Sequence, residues 1–304
     1  MELEFIEWLR ERTGDHASLP LGLRDDAAIL RLADSGHLVL TSDLLTEGVH
    51  FQLETCTPRQ IGHKALAVNL SDLAAMAARP VTALSSIALP REQAPQLARD
   101  IYDGLLSHGA EFDVTLAVGD RNCWAGPLVM SVTLVGQLTP RGALTRGGAK
   151  PGDQLLVTGH LGGSIAGKHL SFTPRVREAL FLNDRYTLHA GMDISDGLAL
   201  DAMRMARQSQ CGIVLDLRSI PISSDAMSLA GNDNSRTALE RALSDGEDFE
   251  LLLAVSADEA ERILADQPLK IPITRVGECI TREGLWQRAT DGSVSALSPR
   301  GYEH

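Results

Sequence analysis

Ile61-Gly-His-Lys-Ala-Leu-Ala-Val-Asn-Leu-Ser-Asp-Leu-Ala-Ala-Met-Ala-Ala78 decides the fold. Ala, Leu and Met are strong helix formers, and nothing from Lys64 to Ala78 breaks a helix. Arg79-Pro80 supplies a stop, because a residue before proline is pushed out of the helical region. Leu66, Leu70, Leu73 and Ala77 recur at three-four spacing and make an apolar face. Asn69 and Asp72 share a face as well. Asp72 is thus a carboxylate on a largely apolar helix, with no Lys or Arg one turn away. Burying such a group is unfavourable unless it is paired or holds a metal. Taken alone, a capped or solvated aspartate is the simpler reading.

Other acidic stretches change that balance. Leu23-Arg24-Asp25-Asp26-Ala27-Ala28 precedes the strand-like Ile29-Leu30, and Leu38-Val39-Leu40 runs into Thr41-Ser42-Asp43. Gly119-Asp120 follows an alternating strand pattern. Asp193-Ile-Ser-Asp-Gly197 opens a helical one, and Ser244-Asp-Gly-Glu-Asp248 leads into an apolar run. Each lies at the end of an expected element, where rigid segments aim side chains into a common space. Carboxylate-rich sites of this kind suit Mg²⁺, a hard cation that takes carboxylates, water and substrate phosphates.

The remaining pattern alternates helices and strands. A helix is expected over 1–12, strands at 83–89, 114–118 and 128–136, and a helix over 92–109. Gly- and Pro-rich residues 137–153 connect to a second α/β half. The chain of 304 residues therefore reads as two domains, 1–137 and 138–304. Gly162 to His169 matches G-x-x-x-x-G-K, but a Walker A loop then needs Ser or Thr, and Phe172-Thr-Pro174 cuts the following helix short. A glycine-rich turn is the better reading.

Net charge is −12, which argues against a nucleic-acid partner but not against a nucleotide bound through metal ions. Cys56, Cys123, Cys211 and Cys279 are scattered, with no C-x-x-C pair, as expected for isolated thiols in a reducing cytosol. The acidic, amphipathic start lacks the pattern of a signal peptide. No apolar run approaches membrane-spanning length. A cytoplasmic protein with no membrane partner is expected.

In order and spacing, several stretches together resemble the thiamine-monophosphate kinase family. They are Asp25-Asp-Ala27, Thr41-Ser-Asp43, Glu47-Gly-Val-His-Phe51, Lys64 to Met76, Gly119-Asp120, Ala143-Leu-Thr-Arg146, Lys150-Pro-Gly-Asp153, Asp193 to Gly197, Gly246 to Leu251 and Gly301-Tyr-Glu-His304. The resemblance implies the two-domain α/β (α+β) fold of the aminoimidazole-ribonucleotide-synthetase-like superfamily, with an N-terminal domain that forms a homodimer by joining sheets. It implies ATP and several Mg²⁺ ions in the cleft between the domains, and thiamine monophosphate as acceptor. Carried over by position, Asp26, Thr41, Ser42, Asp43, Asp72, Asp120, Asp193 and Asp196 are metal-site residues, with Asp43, Asp72 and Asp120 at the chemistry. Gly119, Asp120, Arg146 and Ser195 fall at ATP contacts. His50, Glu247 and Tyr302 fall at contacts to thiamine monophosphate.

The chain departs from the family pattern at four places. Arg24 and Asp245 stand where the family usually has Gly. Arg121-Asn122-Cys123 replaces a stretch that usually opens with Thr, and the segment from Gly167 to Pro174 is shorter. Three other readings stay open: a divergent paralogue, another ATP-using enzyme of the superfamily, and a non-catalytic dimer that binds a thiamine phosphate or a nucleotide. A selenophosphate-synthetase-like protein would want a reactive Cys and a Lys near the N-terminus, yet Lys is absent before Lys64. Retained carboxylates argue against a non-catalytic role, since an idle metal site keeps their repulsion unrelieved.

Overall fold

The computed structural model describes residues 8, 18–21, 25–32, 36–91, 94–232, 235–289 and 291–302. The helix expected over 1–12 lies outside them except for Trp8, as does the departure at Arg24.

The run that opened the sequence reading forms α1, Pro58–Ala75. Thr57 caps it. The Thr57 hydroxyl accepts from the Gln60 amide, the Gln60 side chain accepts from the Thr57 amide, and Pro58 sits in the first turn, where its missing N–H is not needed. The helix is buried on nearly every side, as expected of one that is apolar all round. Burying Leu66, Leu70 and Leu73 contributes roughly 1.5–3 kcal/mol each. The helix does not continue to the proline. It ends at Ala75, Ala77 turns left-handed at φ 49°, and Ala78-Arg79-Pro80 already belongs to a strand. Pro80 is tolerated there because the ladder to the neighbouring strand shifts register between Pro80 and Thr82.

Around α1 stand two sheets. The first contains β1 (Ala28–Leu32), β2 (Gly36–Thr46), β3 (Ala78–Pro90), β4 (Thr115–Trp124) and β5 (Val129–Leu138), in the order β1-β2-β5-β3-β4. Its ladders are antiparallel except for β3–β4, which is parallel and is bridged by α2, Ala94–Glu111. Helices α1 and α2 cross almost backbone to backbone. A Cβ on Gly62 would lie 1.8 Å from the Ile101 carbonyl oxygen, and one on Gly104 would lie 2.0 Å from that of Arg59. Thr41, Asp43 and Leu45 of β2 alternate with Ser42 and Leu44, so the two sets lie on opposite faces. The first set faces the helices.

The second sheet contains β6 (Gln154–Thr158), β7 (Ala190–Asp193), β8 (Gly212–Asp216), β9 (Leu251–Val255), β10 (Ile273–Ile280), β11 (Gly284–Arg288) and β12 (Val294–Ala296). Their order is β12-β11-β8-β10-β6-β9-β7. Helices α3 (Val176–Arg185), α4 (Leu198–Gln208), α5 (Ser224–Asn232), α6 (Ala238–Ser244) and α7 (Ala257–Asp266) accompany it. Helix α1 contacts β2 and β5 of the first sheet and β7 of the second. It therefore carries its polar residues to the seam between the sheets.

Candidate active site

Three carboxylates converge at that seam. Asp26 comes from the turn before β1, Asp72 from α1 and Asp193 from the end of β7. One oxygen from each lies within 4.8 Å of the others. The Thr41 hydroxyl donates to Asp72, and the Ser71 hydroxyl donates to Asp193 Oδ2 at 2.6 Å. Asp26 is paired with the Arg146 guanidinium, while the Arg146 amide donates to Asp25 at 3.0 Å. Asp26 Oδ2 and Asp193 Oδ1 are buried with no hydrogen-bond partner among the described residues.

The electrostatics follow from this crowding. Burial, then the fields of Asp43, Asp193 and Asp26, push the Asp72 carboxyl well above the ordinary carboxylate range. Burial and Asp26 do the same to Asp193. Asp25 is pushed up to about 7 by burial and by Asp26. Crowded oxygens with unfilled lone pairs fit a hard divalent cation, which relieves the repulsion that otherwise favours protonation.

Asp72 and Asp193 also line a cavity of about 500 Å³, together with Asp43, Ser195 and Asp196. Asp196 is ion-paired with Arg204, which also binds Asp201 at 2.8 Å. Asp201 in turn accepts from the Asp196 amide at 3.0 Å. Along α1 the wall changes from acidic at Asp72 to apolar at Val68, one turn earlier. Phe249 packs with Val68 there, and Ile165, Tyr302, His50 and Glu247 also line the cavity, as do Arg236, Arg241 and Asp245. Phe249 stacks on Phe172, with ring centroids 4.1 Å apart. His50 Nδ1 accepts from the Thr46 amide at 3.0 Å. The Tyr302 amide donates to the Asp196 carbonyl at 2.9 Å, which ties the C-terminal segment to the acidic end.

Strained backbone delivers Glu247. Gly246, Glu247 and Phe249 have φ of 75°, 53° and 50°. A Cβ on Gly246 would lie 2.9 Å from the Ser195 carbonyl oxygen. Left-handed non-glycine residues cost of order 1–3 kcal/mol each and tend to cluster at functional sites. Asp245, by contrast, is right-handed at φ −70°, so the departure from Gly there carries no backbone strain. Its carboxylate pairs with Arg236 at 2.6 Å and accepts from the Gly163 amide at 3.1 Å. Gly162 likewise donates to Asp248. The G-x-x-x-x-G-K stretch thus spends its amides on internal carboxylates and forms two 3₁₀ turns, Ser164–Ala166 and Lys168–Leu170, rather than a phosphate loop.

Not every expected residue joins the cluster. Ser42 lies on the opposite face of the sheet from Thr41 and Asp43, where its hydroxyl bonds Thr133 at 2.9 Å. Gly119 and Asp120 lie on the edge strand β4. Register places Asp43, Val132, Ser85 and Gly119 in one row across the sheet, so Asp120 points to the face away from the helices. Three strand spacings, about 14 Å, separate that strand from β2.

The residues that the sequence reading passed over are Lys64 and His169. Lys64 is fully buried, and its ammonium donates to the His50 carbonyl at 2.8 Å and to Glu247 Oε1 at 2.5 Å. Its Nζ also lies 2.9 Å from His169 Nδ1, which is 3.1 Å from Glu247 Oε2. The available signal was the one lysine of a largely apolar helix.

Comparison with known proteins agrees with this architecture. Residues 24–138 match the AIR synthase related protein N-terminal domain, and residues 150–285 match the corresponding C-terminal domain. The chain is 41% identical to the thiamine-monophosphate kinase of Rhodopirellula baltica, over 100% of this chain and 97% of the relative. It is 32% identical to that of Bacillus subtilis, over 100% and 99%. The solved structure of AaThiL complexed with AMPPCP and TMP superposes with a TM-score of 0.85 at 27% identity, covering 100% of this chain and 96% of that one. With two AIR-synthase-related domains in series and full-length identity of this order, the chain belongs to the thiamine-monophosphate kinase family.

Proposed function

We propose that the protein transfers the γ-phosphoryl group of ATP to thiamine monophosphate, giving thiamine diphosphate and ADP, with Mg²⁺ as the required metal. The observation that carries this reading is the Asp26–Asp72–Asp193 cluster opening into a cavity that turns apolar and aromatic one helical turn away. The relatives' names and the AMPPCP and TMP of the AaThiL complex support the same pair of substrates.

The reaction asks little of a base, because the attacking phosphate oxygen is already ionised. Its obstacle is repulsion between two anionic phosphates, and catalysis by positioning and charge neutralisation answers it. Asp26, Asp72 and Asp193 would hold Mg²⁺, with Asp43, Asp196 and Thr41 beside them. When bound, Mg²⁺ supplies positive charge to the phosphate oxygens. Arg146, from the connection between β5 and β6, and Ser195, after β7, orient ATP. His50, Glu247 and Tyr302 take the thiamine rings, Tyr302 offering an aromatic face to the cationic one. The cavity walls exclude water from the transferring group.

Gly119, Asp120 and Ser42 enter this scheme through a second copy of the chain. Ser42 and Asp120 lie on the open face of the first sheet, where Leu44, Val118 and Trp124 are 56%, 59% and 44% exposed, and Gly119 adjoins Asp120 on β4. The edge strand β4 invites pairing. A homodimer that joins these sheets covers the face and brings Asp120 and Ser42 to the nucleotide and its metal ions. Residues 1–137 then form the ATP, metal and dimerisation domain, with 138–304 closing over it. The scattered thiols fit a cytoplasmic setting.

The test is formation of ADP and thiamine diphosphate by the purified protein. Turnover should require Mg²⁺, stop in chelator, and fall to background with free thiamine, whose hydroxyl would need a positioned base. Comparable turnover on thiamine would refute the acceptor assignment.

A further inference from the structure

Lys64 is the one residue of α1 that binds both elements of the ring-binding end. Its ammonium holds the backbone of the His50 loop and the side chain of Glu247, which come from different sheets and are far apart in sequence. His169 Nδ1 lies 2.9 Å from the ammonium and 3.1 Å from Glu247 Oε2, so it serves one of them at a time, accepting from the ammonium as a bare nitrogen or donating to the carboxylate as an N–H. Its other neighbours on the helix are apolar. Ile61, Ala65 and Val68 flank it on the helix, and its side chain is 0% exposed. A buried ammonium tolerates such a place only when it is paired and hydrogen-bonded, as it is to Glu247 and the His50 carbonyl. Its position therefore dictates those of its partners.

Glu247 keeps one side toward the cavity, with its side chain 29% exposed. Burial works against its charge, but the His169 hydrogen bond and the Lys64 ammonium outweigh it and hold the carboxyl below its ordinary value. The Lys64 ammonium is itself drawn below its ordinary value by burial, opposed by Glu247. At neutral pH the outcome is an ionised carboxylate, fixed on its inner side and able to accept on its cavity side. An aminopyrimidine offers a matching donor in its exocyclic amine.

We propose that Lys64 is a positioning residue that acts through Glu247, aiming that carboxylate at the amino group of the acceptor's pyrimidine ring and so setting acceptor specificity. The inference rests on the functional reading above. A buried anchor that merely stabilised the fold would lower the active fraction, and with it the apparent kcat, while leaving KM for either substrate unchanged. A positioning residue changes acceptor recognition alone and loses its effect once Glu247 can no longer be aimed.

The experiment is a double-mutant cycle on the full chain with Lys64→Met, Glu247→Gln and the combined variant, measuring KM for thiamine monophosphate and for ATP, and kcat. A second acceptor, the analogue carrying oxygen in place of the exocyclic amine, reports the specificity. Lys64→Met should raise KM for thiamine monophosphate about tenfold, leave KM for ATP within about twofold, and narrow the preference for the amino over the oxo acceptor. On the Glu247→Gln background it should add less than about twofold. An equal effect on both backgrounds, or a parallel loss in the ATP parameters, overturns the proposal. If Lys64→Met does not fold, the combined variant decides, because it leaves no unpaired buried charge. Kinetics matching Glu247→Gln support the proposal, and a further tenfold loss overturns it. A wild-type protein that turns over neither acceptor refutes the functional reading instead, so the two failures stay distinct.

Discussion

Asp72→Asn separates the metal from the fold. With one oxygen each from Asp26, Asp72 and Asp193 within 4.8 Å, a pair of full charges at that spacing repels by about 3 kcal/mol at an effective dielectric near 20, and by under about 1 kcal/mol in water. Removing one charge of three relieves two such pairs, though partial protonation has already relieved some of that. A net gain of about 2 kcal/mol in chelator at pH 8 is the expected size, or a Tm higher by roughly 4 °C. The Thr41 hydroxyl keeps an acceptor in the asparagine, whose amide can then donate to a neighbouring carboxylate. Mg²⁺ should reverse the order. It raises the wild-type Tm by mass action and barely moves that of the variant, while turnover of the variant falls by at least about a thousandfold. Differential scanning fluorimetry across a Mg²⁺ titration, with and without chelator, reads both effects. A variant less stable than wild type in chelator, or stabilised equally by Mg²⁺, would refute the reasoning.

Three further outcomes follow from geometry described above. Gly62→Ala places a methyl 1.8 Å from the Ile101 carbonyl oxygen and should cost at least about 3 kcal/mol by urea unfolding, against a near-neutral substitution at the open position Gly231. His108 is buried beside His63, and that burial and the neighbouring imidazole lower its pKa from 6.5 to about 3. Its contribution is therefore full above pH 6.5 and is lost as pH falls towards 3, a loss of about 2 kcal/mol at pH 5. His108→Phe should flatten the stability profile between pH 5 and 7, and an unchanged acid slope would count against this. Val118→Glu puts a charge on the open sheet face and should give a monomer by light scattering, with activity lost alongside. An intact dimer would place the interface elsewhere.

How far the sequence could be read depended on the range of the interaction. The uninterrupted helix-forming run identified α1, and its caps lay within a few residues. Its end was hidden, because the left-handed turn falls on Ala77, a residue with no turn signature, while the proline downstream was accommodated by a register shift. The acidic stretches were legible as chemistry, and the family spacing gave eight metal-site residues, of which the structure gathers Asp26, Asp72 and Asp193 within 4.8 Å. Facing was not legible. Whether Ser42 sides with Thr41, or Asp120 with Asp43, is set by strand parity and by the order of a five-stranded sheet. Lys64 was hardest to see, since its partner Glu247 is separated from it by 183 positions.

Helix α1 carries Lys64 near Glu247 and Asp72 at the acidic end, and it is buried along most of its length from Ile61 to Ala75. From residue 64 to residue 72 the axial rise is about 12 Å. The helix is therefore a ruler laid along the cavity. On the proposed reading, it compares the span between an acceptor's heterocycle and its phosphate with a length written into the backbone. An acceptor with a tether one or two carbons shorter or longer can satisfy one end of the ruler or the other, but not both.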